Sequence, residues 1–360
     1  MFHTLNAVRV IAEFFVVHIH VAGMMQAENV IRGHCVDDLM SLFFVLSGFV
    51  AMHSNPTGEA WGFWRRRMGK TYPTYLLSLL VDVPGAFLDQ FRCPGFEFLA
   101  VTQALFVGPW LGGDHILTVN GPSWYLGTLF WLWLTFPLIH RGAKTVCRLW
   151  GPWAIVLAAY ALSLGGFACA AQLYSQNSKG LPILRAGEFV MGAMACVALD
   201  EDGPSPMGSG WVVALLGFVL GASWAVEGLM GAGAPPMVSE CTLWPTHAWH
   251  VHGHTFLSKS ALLWATLLHW MARLEMEHPD CRLVRILSGE VFRFLSSFSL
   301  QLYLGHLSMA WALLRFPRLW GDWSFWSMDL LMLGTYAGCY AYACAVQPVL
   351  DRWFIGESPS

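Results

Sequence analysis

Charge is what this chain has least of. Among its 360 residues only 12% are Asp, Glu, Lys or Arg, against 56% hydrophobic. With a mean hydropathy of +0.51, that composition excludes an ordinary soluble domain. The formal net charge is -3 and no long basic run is present, so no nucleic-acid partner is expected. The nine cysteines show no CxxC spacing, which argues against a zinc knuckle or a thioredoxin-like site. Most of them read as small core residues. A disulfide among Cys35, Cys93 and Cys241 is permitted by the topology below but is not called for. Internal repeats are lacking too, as is any separate soluble stretch, so 1–360 reads as a single transmembrane domain. A cleavable leader is not expected, because the first apolar run is full-length and carries Arg9 and Glu13 where an uncharged core would stand.

What is present in quantity is tryptophan, nineteen residues, a side chain that collects at membrane interfaces. The apolar runs predict an all-α polytopic membrane protein with about ten transmembrane helices around a polar cavity. The expected spans are Leu5 to Met25, Asp37 to Ser54, Thr71 to about Gln90, Pro122 to His140, Gly151 to Tyr174, Ile183 to Leu199, Trp211 to Met230, Thr255 to Met271, Phe292 to Leu314 and Phe325 to Val346. Phe96 to Leu111 is short for a crossing and reads as a re-entrant or interfacial helix. In alternate loops Lys and Arg number twelve against six, which puts both termini in the cytoplasm, with the basic segment 61–72 cytoplasmic and the His-rich loop 231–254 on the far side.

The first span holds an arginine, a glutamate and two histidines in an otherwise apolar run. Ionisable groups at that depth are costly in lipid, so they should face protein or a water-filled cavity. At about 100° per residue Arg9, Glu13 and His20 share one stripe, and His18 points nearly the opposite way. His20 then lies roughly 16 Å beyond Arg9 along the axis.

Five stretches, in order along the chain, together resemble the acyltransferase type 3 family, multi-pass membrane enzymes that O-acylate sugars and other hydroxyl compounds. They are LNAVRVIAEFFVVHIH, with Arg9 and His20 at the family's Arg and His positions, LFFVLSGF (Leu42 to Phe49, including Ser47), and FWRRRMGKTYP (Phe63 to Pro73). The other two are GPSWYLGTLFWLWLTFPL, containing Trp124, and SLQLYLGH, containing Tyr303 and His306. A weaker echo surrounds Glu188. The resemblance implies transfer of an acetyl or other short acyl group from cytoplasmic acyl-CoA to a hydroxyl of a carbohydrate, lipid or small molecule. It implies acyl-CoA as co-substrate and no bound cofactor.

The chemistry asks for a base to take the hydroxyl proton and for donors to the developing oxyanion. An imidazole suits the first task, so His20 is the expected base, with Arg9 positioning or stabilising charge. Glu13 is expected to orient the stripe, or else to pair with Arg9 one turn away. The resemblance assigns Arg65, Arg66, Arg67 and Lys70 to the CoA phosphates, which guanidinium groups grip bidentately. Their plain alternative is a lipid anchor. Ser47, Tyr72, Trp124, Glu188, Tyr303 and His306 are cavity candidates, and helix packing is the competing reading for Tyr303 and His306. His247, His250, His252 and His254 lack a completing ligand, so no metal site is expected. Several positions depart from the family pattern: Lys70 stands for an arginine, Ser41 for an aspartate, and Leu129 and Gln347 for carboxylates. A transporter using the same polar stripe, or an inactive family member, is the alternative function.

Overall fold

The structure is a computed structural model, and it describes residues 2–25, 34–90, 96–111, 119–173, 180–201, 260–314 and 325–354. The described residues are helical, with no strand among them, an arrangement that satisfies the backbone within each segment. In chain order the helices are α1 (His3–Met24), α2 (His34–Ser54), α3 (Ala60–Gln90), α4 (Phe96–Ala104), α5 (Gly108–Leu111), α6 (Trp124–Trp150) and α7 (Pro152–Leu173). They continue with α8 (Pro182–Glu201), α9 (Ala261–Glu277), α10 (Arg282–Leu287), α11 (Glu290–Ser297), α12 (Ser299–Leu314) and α13 (Phe325–Phe354).

Several expected boundaries shift. The helix of the third expected span starts before Thr71, because α3 runs unbroken from Ala60 and carries Arg65 to Lys70 on its first turns. Straight-chain Arg, Lys and Met favour helix and carry it past Gly62 and Gly69. The ninth expected span divides into α11 and α12 on either side of Phe298. The stretch Phe96 to Leu111 forms two short helices parted at Phe106, whose φ of 58° is rare for a residue with a side chain. The Phe106 ring is held between Tyr75 at 4.6 Å and Phe130 at 4.7 Å, and its carbonyl accepts from the Trp131 indole at 2.8 Å. The seventh expected span, the His-rich loop and the start of the eighth span lie outside the described residues, as does the cysteine pairing.

Two described helices, α1 and the Pro182–Asp200 stretch of α8, are long and apolar enough to cross a membrane. A third is added if Gly121–Trp150 and Pro152–Phe167 count as one broken span, bent by 113°. The break falls at Gly151, whose φ of 73° and bond from its N–H to the Cys147 carbonyl make a left-handed helix cap. The other helices are cut short, or carry polar residues such as Arg65 to Lys70 and Asp82 on α3.

The chain sorts into two compact units, Met1–Arg9 with Gly33–Gly58 and Thr135–Glu290, and Val10–Arg32 with Glu59–Leu134 and Val291–Ser360. In the first, α2 and α8 pack most closely, flanked by α7 and α9. In apolar solvent helices associate through close packing and not through water exclusion, and small residues permit it. Gly48 on α2 touches the Phe189 backbone, and Gly192 on α8 touches the Val45 carbonyl. In the second unit α12 packs on α13, and α3 on both.

Candidate active site

Helical periodicity separates the two faces of α1. Ile11 and Phe14 are exposed, and His18 follows on that stripe with its ring against Phe14 at 6.2 Å. Glu13 and Val17 are buried away from that stripe, and Val21, one turn beyond Val17, is buried as well. Val17 and Val21 enter one apolar cluster with Phe298, Leu302 and Ala310 around α12 and with Leu331, Met332 and Cys339 on α13. That packing fixes the rotation of α1 and delivers His20 to α12. The Glu13 carboxylate lies within electrostatic reach of Tyr303, Tyr336 and Cys339 on the same two helices.

His20 meets His306 there, although 286 residues separate them. Nδ1 of His20 lies 2.8 Å from Nε2 of His306. The ring planes are 10° apart and the centroids 5.1 Å apart. That separation matches the N···N distance plus the reach of each ring, so the imidazoles lie end to end in nearly one plane and are not stacked face to face. His306 is completely buried, and its Nδ1 faces the carbonyls of Leu302 at 3.1 Å and Tyr303 at 2.9 Å. His20 is only half-buried.

A hydrogen-bonded frame supports this pair. The Tyr303 hydroxyl donates to the Pro122 carbonyl at 2.8 Å, tying α12 to the 3₁₀ turn Gly121–Ser123 that leads into α6. Trp124 is the buried first residue of α6, and Tyr125 packs edge-on to Tyr303 at 5.5 Å. Asn120 caps the turn through its Oδ1, which accepts from Ser123 N–H at 3.2 Å. The Asn120 amide donates to Asp82 Oδ2 at 2.6 Å and to the Leu304 carbonyl at 2.8 Å. Ser308 bonds the same carboxylate, so Asp82 on α3 is held against the helix that carries His306. Sequence reasoning passed over Asp82 and Asn120. The available signal was an aspartate eleven residues past the start of the third expected span, where a carboxylate is expensive.

A second polar chain centres on Gln347. Its Oε1 accepts from Gln301 at 2.5 Å and from Thr74 at 3.3 Å, and its amide donates to Asp351 at 2.6 Å. Gln301, Gln347 and Asp351 line one wall of a recess of about 180 Å³. A carboxylate at 347 would accept but have nothing to donate to Asp351, so the amide fits this neighbourhood better than the acid common in the family pattern.

The basic cluster is split by its surroundings. Arg65, Arg66 and Lys70 are exposed on α3. Arg67 is half-buried, with its guanidinium 5.6 Å from the Phe63 ring and 5.7 Å from the Trp133 ring. It also borders a small aromatic cavity of about 110 Å³ lined by Trp64, Met68, Phe130, Trp133 and Leu134. Tyr72, two turns beyond Arg65, donates to the Ala104 carbonyl at 3.2 Å.

The remaining candidates sit in the first unit. Glu188 is fully buried and pairs with Arg185 at 3.0 Å, while the Ser41 hydroxyl donates to it at 2.6 Å. The Arg185 guanidinium is held between the Phe44 and Phe167 rings, 5.1 Å from each. Ser41 therefore keeps a polar link to α8 where the family pattern has an aspartate. Ser47 lies one residue before Gly48 at the α2–α8 contact, and Arg9 ends the α1 segment assigned to this unit. Among the described residues no group of three or more His, Cys, Asp or Glu is placed to hold a metal.

Comparison with known proteins agrees with the ordered motifs. A family model described as an acyltransferase domain matches residues 2–344. The acyltransferase MdmB of Streptomyces mycarofaciens is 31% identical over 230 residues, which cover 57% of this chain and 56% of that protein. The match thus spans little more than half the length of that relative. No solved structure matches. With residues 2–344 matched by the family model, the chain belongs to the acyltransferase type 3 family.

Proposed function

We propose that this protein moves a short acyl group, such as acetyl, from cytoplasmic acyl-CoA to a hydroxyl of a carbohydrate, lipid or small molecule. In this reading it is a multi-pass membrane protein of about ten spans with both termini in the cytoplasm. The observation that carries the proposal is the His20–His306 contact on the polar stripe of α1. A half-buried imidazole held by a buried partner is what a general base for hydroxyl activation requires.

His20 takes the acceptor's proton, and the alkoxide oxygen attacks the thioester carbon. Collapse of the tetrahedral adduct breaks the C–S bond, and the proton passes from His20 to the departing thiolate. Ester and free CoA are the products. Arg9 and Glu13 set the charge along the stripe. The exposed cations Arg65, Arg66 and Lys70 suit the phosphates of CoA, which draw mobile guanidinium and ammonium groups from the aqueous side. Arg67, between aromatic rings, secures the base of that cluster. The charge bias of the loops and the order of the motifs support cytoplasmic entry of the donor.

The test is consumption of acyl-CoA thioester by the purified protein in lipid, with a cell-extract pool of hydroxyl acceptors. Release of free CoA matched by an acylated product is the expected result. Folded protein that neither binds nor consumes acyl-CoA would refute the proposal.

A further inference from the structure

We infer that His306 is a positioning residue that places the proton of His20 on Nδ1, so that Nε2 of His20 is the nitrogen that accepts the hydroxyl proton. The inference rests on the acyl-transfer reading for its chemistry, while its geometry stands independently.

The argument starts at the far end of the pair. Nδ1 of His306 faces two carbonyl oxygens, those of Leu302 and Tyr303, and carbonyl oxygens only accept. A lone pair on that nitrogen would oppose two others at hydrogen-bonding distance. Nδ1 of His306 therefore carries the hydrogen, shared between the two carbonyls. In a neutral ring this leaves the lone pair on Nε2. Nε2 of His306 lies 2.8 Å from Nδ1 of His20 in nearly coplanar geometry. The bond between them then has one polarity, with His20 donating from Nδ1 and His306 accepting at Nε2. Neutral His20 keeps its own lone pair on Nε2, at the opposite side of the ring.

The chain of consequence runs from helix backbone to base. The i-3 and i-4 carbonyls of α12 fix the tautomer of His306, and His306 fixes that of His20. The backbone supplies the fixed end, so no carboxylate is needed to orient the base. When His20 takes the acceptor proton on Nε2, its Nδ1–H bond to His306 strengthens as the ring becomes cationic. When it returns that proton to the thiolate of CoA, the pair is restored. His306 neither gains nor loses a proton in the cycle. Because Tyr303 is bonded to Pro122 and Leu304 to Asn120, the turn of α12 that presents these carbonyls is itself held.

The test combines a spectroscopic readout with kinetics. In protein labelled with ¹⁵N-histidine and embedded in lipid, magic-angle-spinning NMR reports which nitrogen of each ring is protonated, and loss of signal in His20→Ala assigns the ring. Protonation of His20 at Nδ1, shifting on His306→Leu, is the expected result. Protonation at Nε2 of His20 in the wild type overturns the inference.

In turnover assays His306→Leu is expected to lower kcat by about 100-fold, with KM for acetyl-CoA changed by less than about threefold, since an orienting group acts on the chemical step. His306→Gln places an amide oxygen near the position of Nε2 and should recover about tenfold of that loss. A His306→Leu enzyme retaining kcat within about threefold would overturn the inference. A wild type that consumes no acyl-CoA yet shows Nδ1-protonated His20 would refute the acyl-transfer reading and leave the tautomer assignment standing.

Discussion

Gly192 on α8 lies directly against the carbonyl of Val45 on α2, and Gly48 on α2 meets the backbone of Phe189 on α8 in the same manner. A methyl group at either position would overlap backbone atoms, which cannot move aside as a side-chain end does. The LSGF part of the second-helix motif is therefore explained by packing in this chain.

Gly192→Ala is expected to lower stability by about 1–3 kcal/mol, the usual cost of overfilling a packed contact. Thermal unfolding in lipid or detergent measures it. Gly165→Ala on α7, where an added Cβ meets nothing within 4 Å, is the control and should be neutral or slightly stabilising. Equal effects at both positions would contradict the close-packing account.

The Arg185–Glu188 pair predicts non-additivity. Both side chains are fully buried, so Glu188→Ala or Arg185→Ala takes away the opposite charge 3.0 Å from the remaining one, each costing about 3–5 kcal/mol. The double variant Arg185→Met with Glu188→Met should unfold at a higher temperature than either single variant. Additive losses would show that the two groups act separately.

Gln347 supplies a prediction from a departure in the family pattern. Gln347→Glu should destabilise the protein, because the new carboxylate faces Asp351 at i+4 and can no longer donate to it. Adding Asp351→Asn should restore most of the loss by reversing the direction of that bond. Calorimetry or thermal unfolding of the three variants checks it, and an unrescued double variant would count against the Gln347–Asp351 link.

Much of this arrangement was legible in the sequence, for stated physical reasons. Periodicity placed Arg9, Glu13 and His20 on one stripe of the first helix and His18 on the other, and burial of Glu13 and exposure of Phe14 beside His18 agree. Five ordered motifs identified the family. Periodicity carries no information about partners on distant helices, so the contact between His20 and His306 was not readable, although both residues were candidates. Nor was the different setting of Arg67 among four consecutive-looking cations, which depends on Trp133 approaching from another helix. The run from Ala60 to Gln90 as one helix escaped notice because Tyr72-Pro73 resembles a start signal, and proline is accommodated there within the helix.

The exposed cations of α3 should behave differently from half-buried Arg67. Replacing Arg65, Arg66 and Lys70 together by alanine is expected to raise KM for acyl-CoA about tenfold, with little change in kcat and a weaker dependence on salt. Arg67→Ala should instead lower thermal stability, through loss of its contacts with Phe63 and Trp133, worth about 0.5–1 kcal/mol each. Steady-state kinetics at two ionic strengths, alongside unfolding curves, separates the two. An unchanged KM in the triple variant would remove these residues from the donor site.

The most direct measurement follows radiolabelled acetyl-CoA in the presence of the purified protein in lipid and a hydroxyl-acceptor pool. Wild type is compared with His20→Ala and with His18→Ala, which alters the opposite face of the same helix. The account predicts turnover in the wild type and in His18→Ala, and a fall of about 100-fold or more in His20→Ala, the usual contribution of a positioned general base. Turnover in His20→Ala equal to that of the wild type, with all three proteins folded, would contradict it.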